Sequence, residues 1–272
     1  MICHQPLLSH LQLKFGKPNP VPYVISSDSL LLSSYLKSMG VKSSDIGEII
    51  INTFLDWLLP RGATALFPAF SWDYCKGLDF DINKSRSYTG ALSRYAKNLS
   101  FKRTFHPIYS FYVIGKHSHE LLDNRSADAF CKHGIFSLIY NLKGKNLFLG
   151  KNFSEMFTFI HLAENKANVE YRYNKLFTAK YTGYDFEDKL LGFYHYVRDT
   201  DKCLSTGMDK EYQNRLFANN FLRSDPFENI ILQELDIVEA VDIAHDDLMK
   251  NRDLVFPVDP NNPKVRDSIV TI

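Results

Sequence analysis

Four short apolar runs, alternating with stretches of helical periodicity, restrict the fold of this chain more than any other feature. Tyr23-Val24-Ile25, Thr64 to Phe67, Ser110 to Ile114 and Asn146 to Gly150 are too brief for helices and are built from residues that favour strands. Between the first two lie Leu30 to Met39, closed by Gly40, and a run opened by Ser43-Ser44-Asp45. In the latter, Ile46, Ile49, Ile50, Phe54 and Trp57 share one face before Pro60-Arg61-Gly62 ends it. Strand, helix, strand in this order predicts the α/β class, here a three-layer α/β/α sandwich around a central mixed sheet.

The rest of the chain is read in the same way. Tyr88 to Tyr95, the residues around Glu120 to Leu122 and Ile135 to Leu142 are expected as helices, 73–87 as a polar loop and Lys102 to Pro107 as another. Val169 to Thr182 is strand-like, with Arg172, Lys175 and Lys180 alternating with apolar positions. Residues 184–225 read as an irregular insertion holding an aromatic helix from Leu190 to Val197, and Phe227 to Leu248 as a helical end. Residues 1–22, with Pro6, Pro18, Pro20 and Pro22, form an extended lead after a short helix, and 257–272 an extended tail. No repeat or composition break divides the chain, so one domain is expected over 1–272.

Charge removes several function classes. With 32 Lys plus Arg against 31 Asp plus Glu, the formal charge is +1, too little to draw nucleic acid or an acidic membrane surface. No apolar run approaches the roughly 18 residues of a membrane span, and the start of the chain lacks a secretory pattern. Cys3, Cys75, Cys131 and Cys203 have no disulfide or metal-ligand spacing and suit a reducing, cytoplasmic setting. His117 and His119 are two ligands without a third, so no metal is expected. The chain has no GxxxxGK[ST], GxGxxG, GxSxG or HExxH pattern. Cys75 or Cys131 paired with a distant His would make a thiol nucleophile, without a local signature for it.

One stretch carries candidate chemistry. Read as a helix, Phe157 to Glu164 and its neighbours place Met156, Phe159, Ile160 and Ala163 on an apolar face and Thr158, His161 and Asn165 opposite. Glu164, three residues after His161, is within reach of one ring nitrogen and leaves the other for use as a general base. The same spacing also occurs on ordinary solvated helix faces. Position adds weight: the stretch follows a strand, where open α/β sheets hold their ligands. Ser26-Ser27-Asp28, likewise at a strand's end, reads as a helix cap or an anion site.

Four segments in order, VISSDSLLLSSYL, LFPAFSW, TGALSRYAKNLSFKRTFHPIYSFYVIG and KGKNLFLGKNFSEMFTFIHLAE, give the chain a resemblance to the aminoglycoside 3-N-acetyltransferase family over roughly residues 20–180. The resemblance implies acetyl-coenzyme A-dependent acylation of an amino group on a sugar, by direct transfer without a covalent enzyme intermediate. It implies His161 as base, Glu164 orienting its ring and Thr158 near the thioester carbonyl. It also implies Ser26, Ser27, Thr89, Gly90 and Ser110 along the coenzyme cleft, with His106, Asp28 and Arg94 in substrate contact or site architecture. This chain differs from the family pattern in having Ile25 before the paired serines, Arg94 where an acidic residue is usual and Gly134-Ile135 in place of Ser-Pro. A polycationic antibiotic calls for an acidic cleft. The expected acceptor is therefore a less cationic small molecule, a nucleotide-linked amino sugar of surface-polysaccharide synthesis, with aminoglycoside acetylation and a non-catalytic binding module as the alternatives.

Overall fold

The computed structural model describes residues 5–199 and 208–250. Helix α1 (Gln5–Lys14) precedes β1 (Pro22–Ser27), α2 (Leu30–Ser38), α3 (Ile46–Leu58) and β2 (Thr64–Pro68). Next come β3 (Phe80–Asp81), α4 (Gly90–Asn98), β4 (Lys102–Arg103), β5 (Phe111–Gly115), α5 (Ser118–Asp123) and α6 (Ile135–Asn141). Strand β6 (Lys145–Leu149) leads into the short helices α7 (Phe153–Met156) and α8 (Ile160–Lys166). A long hairpin, β7 (Arg172–Gly183) and β8 (Phe186–Arg198), is followed by α9 (Lys210–Ala218), β9 (Leu222–Ser224), β10 (Leu232–Asp236) and α10 (Ile237–Lys250).

Seven strands form one mixed sheet in the order β4-β5-β2-β1-β6-β10-β9, in which β1 runs parallel to both β2 and β6 and the remaining pairs are antiparallel. Alternation along each strand feeds two separate cores, because successive side chains point to opposite faces. Tyr23 and Ile25 of β1, Ala65 and Phe67 of β2, and Leu147 and Leu149 of β6 pack with residues of α1 to α4. Val24, Leu66 and Phe148, on the other face, pack with α6, α8, α10 and the hairpin. The molecule is therefore the three-layer α/β/α arrangement around a mixed sheet. The second core is thick in rings: Phe136 lies 4.4 Å from Phe130 and 4.8 Å from Phe159 between ring centroids.

Several elements differ from the sequence reading. Leu190 to Val197 is strand, not helix, because it pairs antiparallel with β7 along almost its whole length, Phe177 opposite Phe193 and Lys175 opposite His195. Rings and branched residues fit either element locally, and the partner strand decides. Residues 184–225, expected to be irregular, thus hold β8, α9 and β9. Phe227 to Leu248 is not all helix: its first half contains β10, whose Glu234 is 2% exposed and is held by Lys145 at 3.1 Å and by Arg223. A carboxylate inside a sheet is tolerated only with such partners, and both lie outside its own strand. Lys102 and Arg103 form β4 rather than a loop, β3 lies inside the expected 73–87 loop, and the expected tail at 257–272 falls outside the described residues.

Candidate active site

The carboxyl ends of β1 and β2 open into a cavity of about 290 Å³. The crevice falls where β1 lies between β2, reached next along the chain, and β6, reached after β5, which is where open α/β sheets form ligand sites. Ser26 and Ser27 from β1, Phe67 and Pro68 from β2, Thr89, Gly90, Leu92 and Ser93 from the start of α4, and Glu155, Met156 and Thr158 line it. Gly90 has φ +70, and a Cβ there would stand 3.2 Å from the Ser27 carbonyl oxygen, so glycine lets α4 begin hard against β1. Thr89 braces this corner: its hydroxyl donates to Pro68 O at 2.8 Å and accepts from Phe70 N at 2.9 Å. Ser26 Oγ accepts from the buried Asn146 side chain at 3.1 Å.

The stretch that carries His161 is not one helix. It breaks between α7 and α8, where Phe157 adopts φ −81 and ψ 82, and α8 restarts with His161 N donating to Thr158 O at 3.1 Å. Thr158, in the break, lines the cavity, while His161, on the first turn of α8, has its ring 5.8 Å from that of Phe130 and is not among the lining residues. Residues that a continuous helix would stack on one face are thereby divided between two environments.

His161 Nδ1 lies 2.6 Å from Glu164 Oε2, and Arg172 Nε from β7 lies 2.7 Å from the same oxygen. Glu164 is 1% exposed and so lies inside the protein, while His161 has 24% of its side chain exposed. Burial would raise the Glu164 carboxyl, but Arg172 and His161 overcome this and hold it at about 2. An ionised carboxylate only accepts, so Nδ1 carries the proton and Nε2 carries the lone pair. Burial foremost, then Arg172, pushes the His161 ring below the usual histidine value, with Glu164 acting the other way and Arg198 adding a further small push downward. The result is a neutral imidazole at neutral pH, oriented by a fixed anion.

His195, opposite Lys175 on β8, lies against Trp72, ring centroids 5.6 Å apart and nearly parallel, and burial with the charges of His161, Arg172 and Lys175 drives it down to about 4. Cys75 Sγ is 3.5 Å from His195 Nδ1, but burial pushes the thiol up to about 12, so this Cys–His pair carries no thiolate.

The other residues named from sequence are dispersed. Ser110 is fully buried, accepts from Arg103 Nε and donates to Ala69 O, both at 2.8 Å, and is not part of the cavity lining. His106 is 3% exposed; its Nδ1 accepts from Ile108 N and Tyr109 N while Nε2 donates to Ala127 O, and burial drives it down to about 3. It is a neutral brace for the turn before β5. Asp28 Oδ1 accepts from Leu30 N at 3.1 Å, opening α2, and Arg94 is exposed on α4. Arg172 and His195 were missed as site residues: both come from strands of the hairpin, and no spacing relative to His161 marks them. Among the described residues, no three His, Cys, Asp or Glu side chains gather as a metal site, and no helix is long and apolar enough to cross a membrane.

The family model for aminoglycoside 3-N-acetyltransferase matches residues 31–248. The chain belongs to the aminoglycoside 3-N-acetyltransferase family, and by family it is an N-acetyltransferase. Among solved structures, the apoenzyme of aminoglycoside acetyltransferase AAC(3)-IVa aligns with TM-score 0.68 at 17% identity over 92% of this chain and 90% of that one. The YokD protein from Bacillus subtilis aligns at 0.69 and 17% identity over 91% and 99%, and AAC-IIIb in its binary complex with CoASH at 0.69 and 15% over 91% and 96%. Likeness at these identities is likeness of fold. No curated protein matches the sequence.

Proposed function

We propose that this chain acetylates the amino group of a sugar by direct transfer from acetyl-coenzyme A, with His161 as general base. The observation that carries the reading is the imidazole held at Nδ1 by the buried Glu164, its Nε2 making no hydrogen bond among the described residues, one helical turn from a Thr158 that lines the strand-end cavity. The cavity suits an extended thioester: Phe67, Pro68, Phe70 and Leu92 are apolar walls, Ser26, Ser27 and Thr158 offer hydroxyls, and Gly90 leaves the backbone bare. Coenzyme A bound to the relative AAC-IIIb supports the same assignment. When bound there, the coenzyme supplies an acyl group on a good leaving thiol.

The protein's residues do the rest. An ammonium must lose a proton before its nitrogen attacks, and His161 Nε2 accepts that proton. The imidazolium so formed is countered by Glu164 through the Nδ1 hydrogen bond. Thr158 lines the cavity, and we assign its hydroxyl to donate to the acyl oxygen as charge develops.

For the acceptor, the surroundings of His161 favour a molecule with few positive charges. The Glu164 charge is matched by Arg172, Arg198 and Lys175 are cationic neighbours of the His161 and His195 rings, and among the described residues Glu155 is the one carboxylate in the cavity lining. A polycationic antibiotic meets repulsion there, and a nucleotide-linked amino sugar meets complementary charge. Such sugars are built into surface polysaccharides from the cytoplasm, a reducing setting that suits free Cys75 and Cys131. Aminoglycoside acetylation is the second reading, favoured by relatives solved with apramycin and with a gentamicin. The test is release of free thiol from acetyl-coenzyme A over a panel of nucleotide-linked amino sugars, free amino sugars, gentamicin and apramycin. Turnover with the nucleotide-linked members is expected; turnover confined to the antibiotics overturns the acceptor assignment, and coenzyme binding with no turnover on any member leaves a binding module.

A further inference from the structure

Glu164 is shared. The same oxygen, Oε2, lies 2.6 Å from His161 Nδ1 and 2.7 Å from Arg172 Nε, in a carboxylate that is 1% exposed. Arg172 is itself buried, its side chain 6% exposed, and its guanidinium carbon lies 5.8 Å over the ring of Tyr196, the neighbour of His195 on β8. A guanidinium packed between a ring and a carboxylate has one place to stand, and it fixes the carboxylate with it. The segments brought together are α8 and the first residue of β7, so the hairpin is tied directly to the His161–Glu164 pair.

We propose that Arg172 is a positioning residue of the transfer reaction: it clamps Glu164 in line with His161 Nδ1 and offsets the carboxylate charge, so that the ring presents an unprotonated Nε2 to the acceptor amine. The inference rests on His161 being the base. The charged and titratable groups facing that ring are Glu164 on α8, Arg172 on β7, and Arg198 and His195 on β8. Of these Glu164 alone favours the imidazolium, and Arg172 is the charge in contact with it. Without Arg172 the full carboxylate charge falls on His161, which then holds its proton to higher pH. The carboxylate also loses the contact that fixes its angle to Nδ1, which lowers kcat even where the ring is neutral.

The test compares Arg172→Gln and Arg172→Lys in the full chain by two readouts: NMR titration of the His161 ring, assigned with His161→Gln, and the pH profile of thiol release. In Arg172→Gln the His161 titration and the acid limb of the profile both move to higher pH, with turnover down about 100-fold at pH 6.5 and about tenfold at pH 8.5. Arg172→Lys, which keeps the charge but not the planar fork, returns the limb to its wild-type position yet leaves kcat about tenfold low, with KM for both substrates within about twofold. A uniform loss in Arg172→Gln with an unmoved His161 titration overturns the proposal. Should Arg172→Gln fail to fold, an unaltered kcat per folded molecule of Arg172→Lys overturns it instead. If the wild-type protein releases no thiol with any acceptor, the reaction assigned above fails, and the His161 titration in the variants still decides whether Arg172 controls the ring.

Discussion

A histidine on a first helical turn becomes a base through what stands behind it. His161 is backed by a carboxylate held at about 2, so that across any workable assay range Glu164 stays ionised and His161 is the titrating member of the pair. The ring's own value lies below the ordinary one near 6.5, so the neutral form predominates at neutral pH. Turnover is therefore expected to rise with pH through a limb below 6.5 and to run flat across neutral pH; a pH profile of kcat/KM with its limb above 6.5 contradicts this. His161→Gln removes the base while keeping an amide to meet Glu164, and thiol release should fall about 10³-fold with the thermal midpoint close to wild type. Thr158→Val keeps the shape of the cavity wall but not the hydroxyl, and a loss of about 10- to 100-fold in kcat is expected, read in the same assay.

Element boundaries set which side chains meet. Helix α7 follows the strand-end turn after β6, where Gly150 has φ +85 and a Cβ would lie 2.0 Å from the Asp28 carbonyl oxygen. Gly150 N donates to Ile231 O at 2.8 Å and Phe153 N to Gln233 Oε1 at 2.8 Å, so α7 is pinned to the strand that follows far later in the chain. Gly150→Ala must strain the backbone or push β1 and β6 apart, at an expected cost of about 2 kcal/mol in urea unfolding. Part of this was readable in the sequence. The runs at Tyr23, Thr64, Phe111 and Asn146 sit within one or two residues of their strands because local composition and period agree there. Strand β8 was not readable, since its ring-rich sequence suits a helix as well and its identity comes from β7; nor was β10, whose Glu234 looks like a solvent position until Lys145 and Arg223 are seen around it.

At the scale of the molecule, the same burial that tunes the site makes the fold sensitive to acid. His106 is driven down to about 3 and His195 to about 4 in the folded state, whereas both take a proton near 6.5 when unfolded. Between those values the unfolded chain binds more protons, so stability rises with pH through the window and is lost as pH falls below 6.5. The two groups together should remove roughly 4 kcal/mol between pH 7 and pH 5. Glu164, with its depressed carboxyl, adds a further loss only below the ordinary carboxylate range. Urea unfolding at pH 7, 6 and 5 measures the slope, and a stability flat over that span would contradict the buried neutral state of both rings.

By itself, the sequence determined the α/β class, the order of its first strands and helices, the strand-end serines and the His161–Glu164 pair three residues apart, because each rests on interactions between near neighbours. The tertiary structure alone decided that Glu164 is buried, that the stretch around Thr158 breaks into two short helices, and that Arg172 closes on the carboxylate from a strand of the hairpin. A lone charge inside a protein is costly, and its partner is chosen by which elements pack together rather than by distance along the chain. That choice is made only when α8 and β7 meet.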